Sequence, residues 1–99
     1  MSIKKFRWSR VYESSEEELV DLLQSRNLKS TLLDVEAGSE QAGQVSGSAT
    51  TIWCAEGSLA VRTGPTSISL QPGDAVQIPA DTPYTLHAGV AGFVCYLTP

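Results

Sequence analysis

The sequence predicts a small all-β domain, a barrel or sandwich, with one α-helix near its N-terminus. Three observations carry that reading. The chain has 99 residues, enough for one modest core and too few for two. From Leu28 onward, short runs rich in Val, Ile, Thr and Leu recur between turn residues, at a spacing suited to barrels and sandwiches. One amphipathic stretch stands before them, with Leu19, Val20, Leu22 and Leu23 as its apolar stripe. The single domain therefore divides into an N-terminal arm and helix over 1–27 and a barrel over 28–99.

Each element has a local cause. Ile3 to Tyr12 reads as an extended arm or edge strand, with Phe6 and Trp8 on one side and Arg7 and Ser9 on the other. The helix starts at Ser14-Ser15-Glu16-Glu17-Glu18, where Ser14 with Glu17 and Ser15 with Glu18 form overlapping capping boxes. The three carboxylates also suit the positive end of the helix dipole, and Arg26-Asn27 closes the helix. Lys29 to Glu36 alternates Thr31, Leu33 and Val35 against Ser30, Leu32 and Asp34. A Gly/Ser/Ala-rich loop is expected over 37–48. Strands follow at Thr50–Ala55, Leu59–Arg62, Ser67–Leu70, Ala75–Ile78, Tyr84–His87 and Gly92–Leu97. Thr63-Gly64-Pro65-Thr66 reads as a hairpin loop and Gln71-Pro72-Gly73-Asp74 as a turn.

Composition removes several function classes. A net charge of −4 without a Lys/Arg stripe gives nothing to neutralise phosphates, so no nucleic-acid partner is expected. Lys4, Lys5, Arg7 and Arg10 cluster near the start, and the plain reading is solvated charge on an edge strand. No apolar run is long enough for a membrane span, and Met1-Ser2-Ile3-Lys4-Lys5 is not followed by a signal-peptide core. Cys54 and Cys95 form no CxxC motif. A cytoplasmic protein with reduced thiols is the expectation.

The segment from Pro72 to Tyr84 carries the sharpest signal. Gly73, then Pro79, then Thr82-Pro83 resembles the second signature motif of the cupin superfamily, with Asp81 in place of the more usual glycine. Glu56-Gly57-Ser58-Leu59 resembles the turn that closes the first motif, and the spacing through the Thr63–Thr66 hairpin agrees. The resemblance covers about two-thirds of the chain, Thr31 to Pro99. It implies the cupin-type barrel, a double-stranded β-helix or jelly roll, here with one N-terminal α-helix.

The same resemblance removes the usual chemistry. In cupins the residue after Thr-Pro is normally a metal-binding histidine, and here it is Tyr84. The glutamate position of the first motif falls on Thr50. The histidine positions fall on Gln44 and Ser46, or on Gly43 and Val45 with a different loop length. Hydroxyl and amide groups are poor ligands for a divalent transition metal, so no metal and no cofactor are expected. Alternation sends Tyr84 and Leu86 inward and His87 outward, so the one histidine is not a replacement ligand. It likewise sends Thr50, Ile52 and Cys54 inward and Thr51, Trp53 and Ala55 outward. Cys54 reads as a small buried hydrophobe, and a Cys54/Cys95 pair would still lack a third metal ligand. Asp34 and Glu36 read as a solvated strand face, and Glu40 as a loop residue.

The functional expectation is a metal-free barrel that binds a small molecule at its mouth, through Gln44, Ser46, Thr50 and Tyr84, over Ile52, Val76 and Leu86. Two alternatives belong to other classes. One is a cupin-type enzyme, an isomerase, epimerase or dioxygenase with a non-standard site. Metal-free epimerases of this type pair a His base with a Tyr acid, and Tyr84 lacks an inward histidine. The other is a structural or regulatory module that fills its barrel and acts through its surface. An outward Trp53 must be covered, either by the helix or by a second subunit. The resemblance to commonly dimeric cupins makes a homodimer with Trp53 at its interface the expectation.

Overall fold

The computed structural model describes residues 3–9, 16–42 and 47–99. The chain forms β1 (Lys4–Arg7), α1 (Glu16–Ser25), β2 (Thr31–Val35), β3 (Glu40–Ala42), β4 (Thr50–Thr63), β5 (Thr66–Leu70), β6 (Asp74–Ile78) and β7 (Thr85–Thr98). The strands join in the order β1-β6-β4-β7-β2, with β3 also on β7 and β5 also on β4, and every pairing is antiparallel. No helix among the described residues is long and apolar enough to cross a membrane.

β4 and β7 decide the architecture. Each was expected as two strands separated by a turn, and each is instead one 14-residue strand with a bend inside it. Their mutual register slips between Cys54 and Glu56 and again between Gly57 and Leu59. The first is a bulge, with Ala55 as the extra residue, and the second is a larger excursion in which Ser58 alone stands opposite Gly89–Gly92 of β7. Such irregularities sharpen twist and let one strand bend across a barrel. The bends sit at Gly57, with φ of 71°, and Gly92, with φ of 73°, and Gly57 faces Phe93 in register. A Cβ added at Gly57 would come within 2.1 Å of the Gly92 carbonyl oxygen. Only glycine supplies both the left-handed backbone and the missing side chain here. Because both strands double back, Thr51 pairs with Thr98 and Arg62 with Thr85. All four ends of β4 and β7 thus come to one mouth.

The barrel interior is packed with side chains. Ile52, Cys54, Val61, Leu70, Val76 and Cys95 have no solvent exposure, and Tyr84, Leu86 and Phe93 complete the same cluster. A second cluster lies on the outer face of the β4-β6-β7 sheet, where Leu19 and Leu23 of α1 cover Trp53, Ala55 and Ala75. Each of those leucines contributes roughly 1.5–3 kcal/mol by leaving water. Of the two covers expected for Trp53, the chain supplies its own. The indole is 3% exposed, donates to the Thr98 hydroxyl at 2.8 Å, meets Phe6 edge-on and lies under Arg26. Residues of the same chain therefore cover the indole.

The helix ends as its sequence predicts. Asn27 has φ of 54°, the Leu28 amide donates to the Leu23 carbonyl, and the Asn27 amide donates to that of Gln24. This is a Schellman motif with Asn in the left-handed position. The capping serines Ser14 and Ser15 lie outside the described residues. At the other end of α1, Glu16 accepts a hydrogen bond from the Tyr96 hydroxyl.

Two expectations change on the edges. The 37–48 loop contains β3, whose backbone pairs Glu40, Gln41 and Ala42 with His87, Leu86 and Thr85. Three residues are too few to show alternation, so the sequence hid this strand. β1 is an edge strand as expected, but its cations are not simply solvated. Arg7 Nη1 lies 2.9 Å and Lys5 Nζ 3.6 Å from the carboxylate of Asp74, a residue only 5% exposed. Asp74 also accepts from the Gln71 amide, tying the Gln71–Asp74 turn to the edge strand.

The Gly57 bend predicts a strong position dependence. Gly57→Ala should destabilise the fold by about 3 kcal/mol or more, because left-handed strain adds to a backbone clash. Gly64→Ala, at φ of 56° with nothing within 4 Å, should cost only about 1–2 kcal/mol. Urea unfolding of the two variants measures the difference.

Candidate functional site

The mouth is built from strand ends. Thr50 begins β4 and Arg62-Thr63 ends it, Thr98 ends β7, and Tyr84 immediately precedes Thr85. The chain reaches Tyr84 through the segment that resembles the second cupin motif. Pro79 stops β6, since it has no amide to continue the ladder, and Pro83 holds Thr82 extended. Asp81 has φ of 59°. The glycine position of the motif therefore keeps its left-handed backbone, and aspartate is among the few other residues that tolerate it.

Tyr84 is 7% exposed, belongs to the interior cluster and forms part of the wall of three adjoining pockets. The first, about 330 Å³, is lined by Lys29, Ser30, Thr31, Ser48, Thr50, Leu97, Thr98 and Pro99. The second, about 630 Å³, has Ala42, Arg62, Thr63, Gly64, Thr82, Pro83 and Thr85. The third, about 330 Å³ and the most enclosed of them, has Thr31, Leu33, Gln41, Ala42, Leu86 and Leu97. The Tyr84 phenol makes no hydrogen bond to another described residue, and burial pushes its pKa upward. A phenol that borders open pockets is placed to hydrogen-bond a molecule that enters them.

Of the four sequence-derived site residues, the structure brings Thr50 and Tyr84 together in one pocket wall. Gln44 and Ser46 lie outside the described residues. Ile52, Val76 and Leu86 are interior as expected, but Ile52 and Val76 belong to the packed core rather than to these pocket walls. Lys29, Arg62, Leu33 and Leu97 were missed. They reach the mouth through the doubling back of β4 and β7 and through the β2–β7 pairing, which matches Leu33 with Cys95. The signal that could have found Arg62 was Gly57, had it been read as a bend within one strand instead of the end of a strand.

A metal does not fit this donor set. Among the described residues no group of three or more His, Cys, Asp or Glu side chains could hold an ion. His87 points away from the interior and lies 3.6 Å from Glu40 on the neighbouring strand. Cys54 and Cys95 are free, directly opposite one another in register, and fully buried. Burial, followed by the Asp74 charge, pushes the Cys54 thiol up to about 12. Burial, followed by Cys54 itself, pushes Cys95 up to about 12. Neither is a thiolate at neutral pH, so neither is a nucleophile or a soft-metal ligand there.

The cysteine environment sets an alkaline limit on stability. Both thiols ionise at an ordinary 9.0 when unfolded and near 12 when folded, so their contribution is complete below pH 9 and lost as pH climbs toward 12. Urea midpoints should fall over that range, and less steeply in a Cys54→Ala/Cys95→Ala variant. At pH 8 a disulfide-exchange reagent should label the folded protein at least about a hundredfold more slowly than the unfolded chain, given tenfold less thiolate per pKa unit.

Comparison with known proteins agrees with the geometry. No protein-family model matches the chain, and no curated protein matches it. Among solved structures, salicylate 1,2-dioxygenase from Pseudoaminobacter salicylatoxidans, in its gentisate adduct, is similar over 72% of this chain at 24% identity and a TM-score of 0.63. That match covers only 19% of the dioxygenase chain. The Cnp3 cupin domain of Schizosaccharomyces pombe matches 97% of this chain and 62% of its own, at 13% identity and a TM-score of 0.64. A cupin superfamily protein from Desulfitobacterium hafniense matches 98% of this chain and 76% of its own, at 14% identity and a TM-score of 0.62. The chain has the cupin fold.

Proposed function

We propose that this protein, a cupin-type barrel, binds a small organic molecule at its mouth without a metal, with Tyr84 as the central hydrogen-bonding group. One observation carries the reading: the largely buried Tyr84 phenol borders three adjoining pockets and has no partner among the described residues. A ligand hydrogen bond would satisfy it. The surrounding hydroxyls of Thr50, Thr31 and Thr98 add orientation, and Leu33, Leu86 and Leu97 add apolar contact. The packed interior below leaves the mouth as the binding region. The dioxygenase likeness supports the fold and not that enzyme's chemistry, since Tyr84 and Thr50 stand at positions where cupins place metal ligands.

Tyr84 variants test the reading. Tyr84→Phe removes only the unpartnered hydroxyl and should leave folding stability within about 0.5 kcal/mol. In a ligand screen by thermal shift and NMR, a compound that binds the wild type should lose roughly tenfold in affinity to Tyr84→Phe, about 1.4 kcal/mol for one hydrogen bond. Tyr84→Ala should lose more. Binding that is unchanged in both variants would place the site elsewhere.

A further inference from the structure

Charge is sorted between the ends of this barrel. The described residues lining the three mouth pockets include Lys29 and Arg62 and no Asp or Glu side chain, on a chain of net charge −4. At the end where β4 and β7 bend, a pocket of about 290 Å³ is lined by Asp34 and Glu56 and by no base. Asp34 and Glu56 thus stand at the opposite end, while Glu40 and Asp81 adjoin mouth-lining residues in sequence without lining the pockets themselves.

Resting on the mouth-binding reading, we propose that the ligand is a small organic acid whose carboxylate is held by Arg62 and whose apolar body lies against Leu33, Leu86 and Leu97. Arg62 makes no ion pair with another described residue. Its register neighbours on β5 and β7 are Ser67 and Thr85, both neutral. A guanidinium presents a planar fork that matches a carboxylate bidentately. The same pocket offers the hydroxyls of Thr63, Thr85 and Tyr84 to the anion. Ala42 and Tyr84 line both this pocket and the enclosed one, so the three leucines lie beside the Arg62 pocket. About 330 Å³ lies at the small end of ligand pockets, which suits a compact acid rather than a nucleotide. Lys29, on the far side of Tyr84, adds attraction at longer range. Both cations are exposed, so the preference weakens with salt.

Matched acids and amides separate this inference from the one beneath it. NMR titrations of the intact protein at low ionic strength would use benzoate against benzamide and hexanoate against hexanamide. Amide signals of Thr63, Tyr84, Leu86 and Leu97 should move with the acids, which should bind about tenfold more tightly than their amides. Arg62→Gln, a change at an exposed side chain, should abolish that preference, whereas Lys29→Gln should reduce it by less than about threefold. Amides binding as tightly as acids would overturn the acid assignment and leave the mouth reading standing. So would the absence of saturable shifts with all four probes, if the wider screen still finds a Tyr84-dependent ligand. Shifts that map away from Tyr84 and survive Tyr84→Ala would overturn both.

Discussion

The close approach of Gly57 and Gly92 is the contact on which the rest of the structure depends. The two longest strands each fold back at these bends, and neither bend has room for a Cβ. The doubling back lets one strand serve both halves of the barrel, so the small chain closes a core that separate short strands would have to assemble from many loops. It also gathers Thr50, Arg62, Thr85 and Thr98 around Tyr84. The mouth is therefore a consequence of backbone geometry at the opposite end of the barrel. A change at Gly57 would be felt at a pocket that it does not line.

The interior and the mouth obey different physics. Below Tyr84, aliphatic side chains and two un-ionised thiols fill the space, with no polar group that asks for a ligand. At Tyr84 the packing gives way to hydroxyls, one guanidinium and one ammonium. A phenol at this boundary is amphipathic in the useful sense: its ring completes the core and its hydroxyl faces the pockets. The described mouth residues offer hydroxyls and cations, and no imidazole or Asp/Glu carboxylate. Such groups are poor ligands for a transition metal and good hydrogen-bond donors to organic molecules.

The outer face shows how a small barrel protects its seams. Trp53 is sealed by α1, Phe6 and Arg26, and the Cys54 carbonyl beside the bulge accepts both the Gly73 amide and the Trp8 indole N–H. The bulge frees that carbonyl from regular pairing, and the N-terminal segment supplies a donor for it. Asp74 holds the same segment from the other side through Arg7 and Lys5. Lys5, Phe6 and Arg7 of the first strand thus help to close the domain.

The sequence by itself determined the local events. Asn27 ends the helix, Pro72-Gly73 turns the chain, Pro79 stops a strand, and alternation turns Tyr84 and Leu86 inward and His87 outward. These follow from φ preferences and a two-residue period, which neighbouring residues fix without help. The motif order and spacing also pointed to the fold. Only the tertiary structure decided that the Gly57 and Gly92 positions are bends inside continuous strands, that three residues of a loop pair with β7, that Trp53 is covered from within, and that Lys29 and Arg62 share a mouth with Tyr84. A glycine reads alike in a turn and in a bulge, and what separates them is the strand pairing on either side. That pairing is set by contacts between residues far apart in the chain, where local preference carries no information.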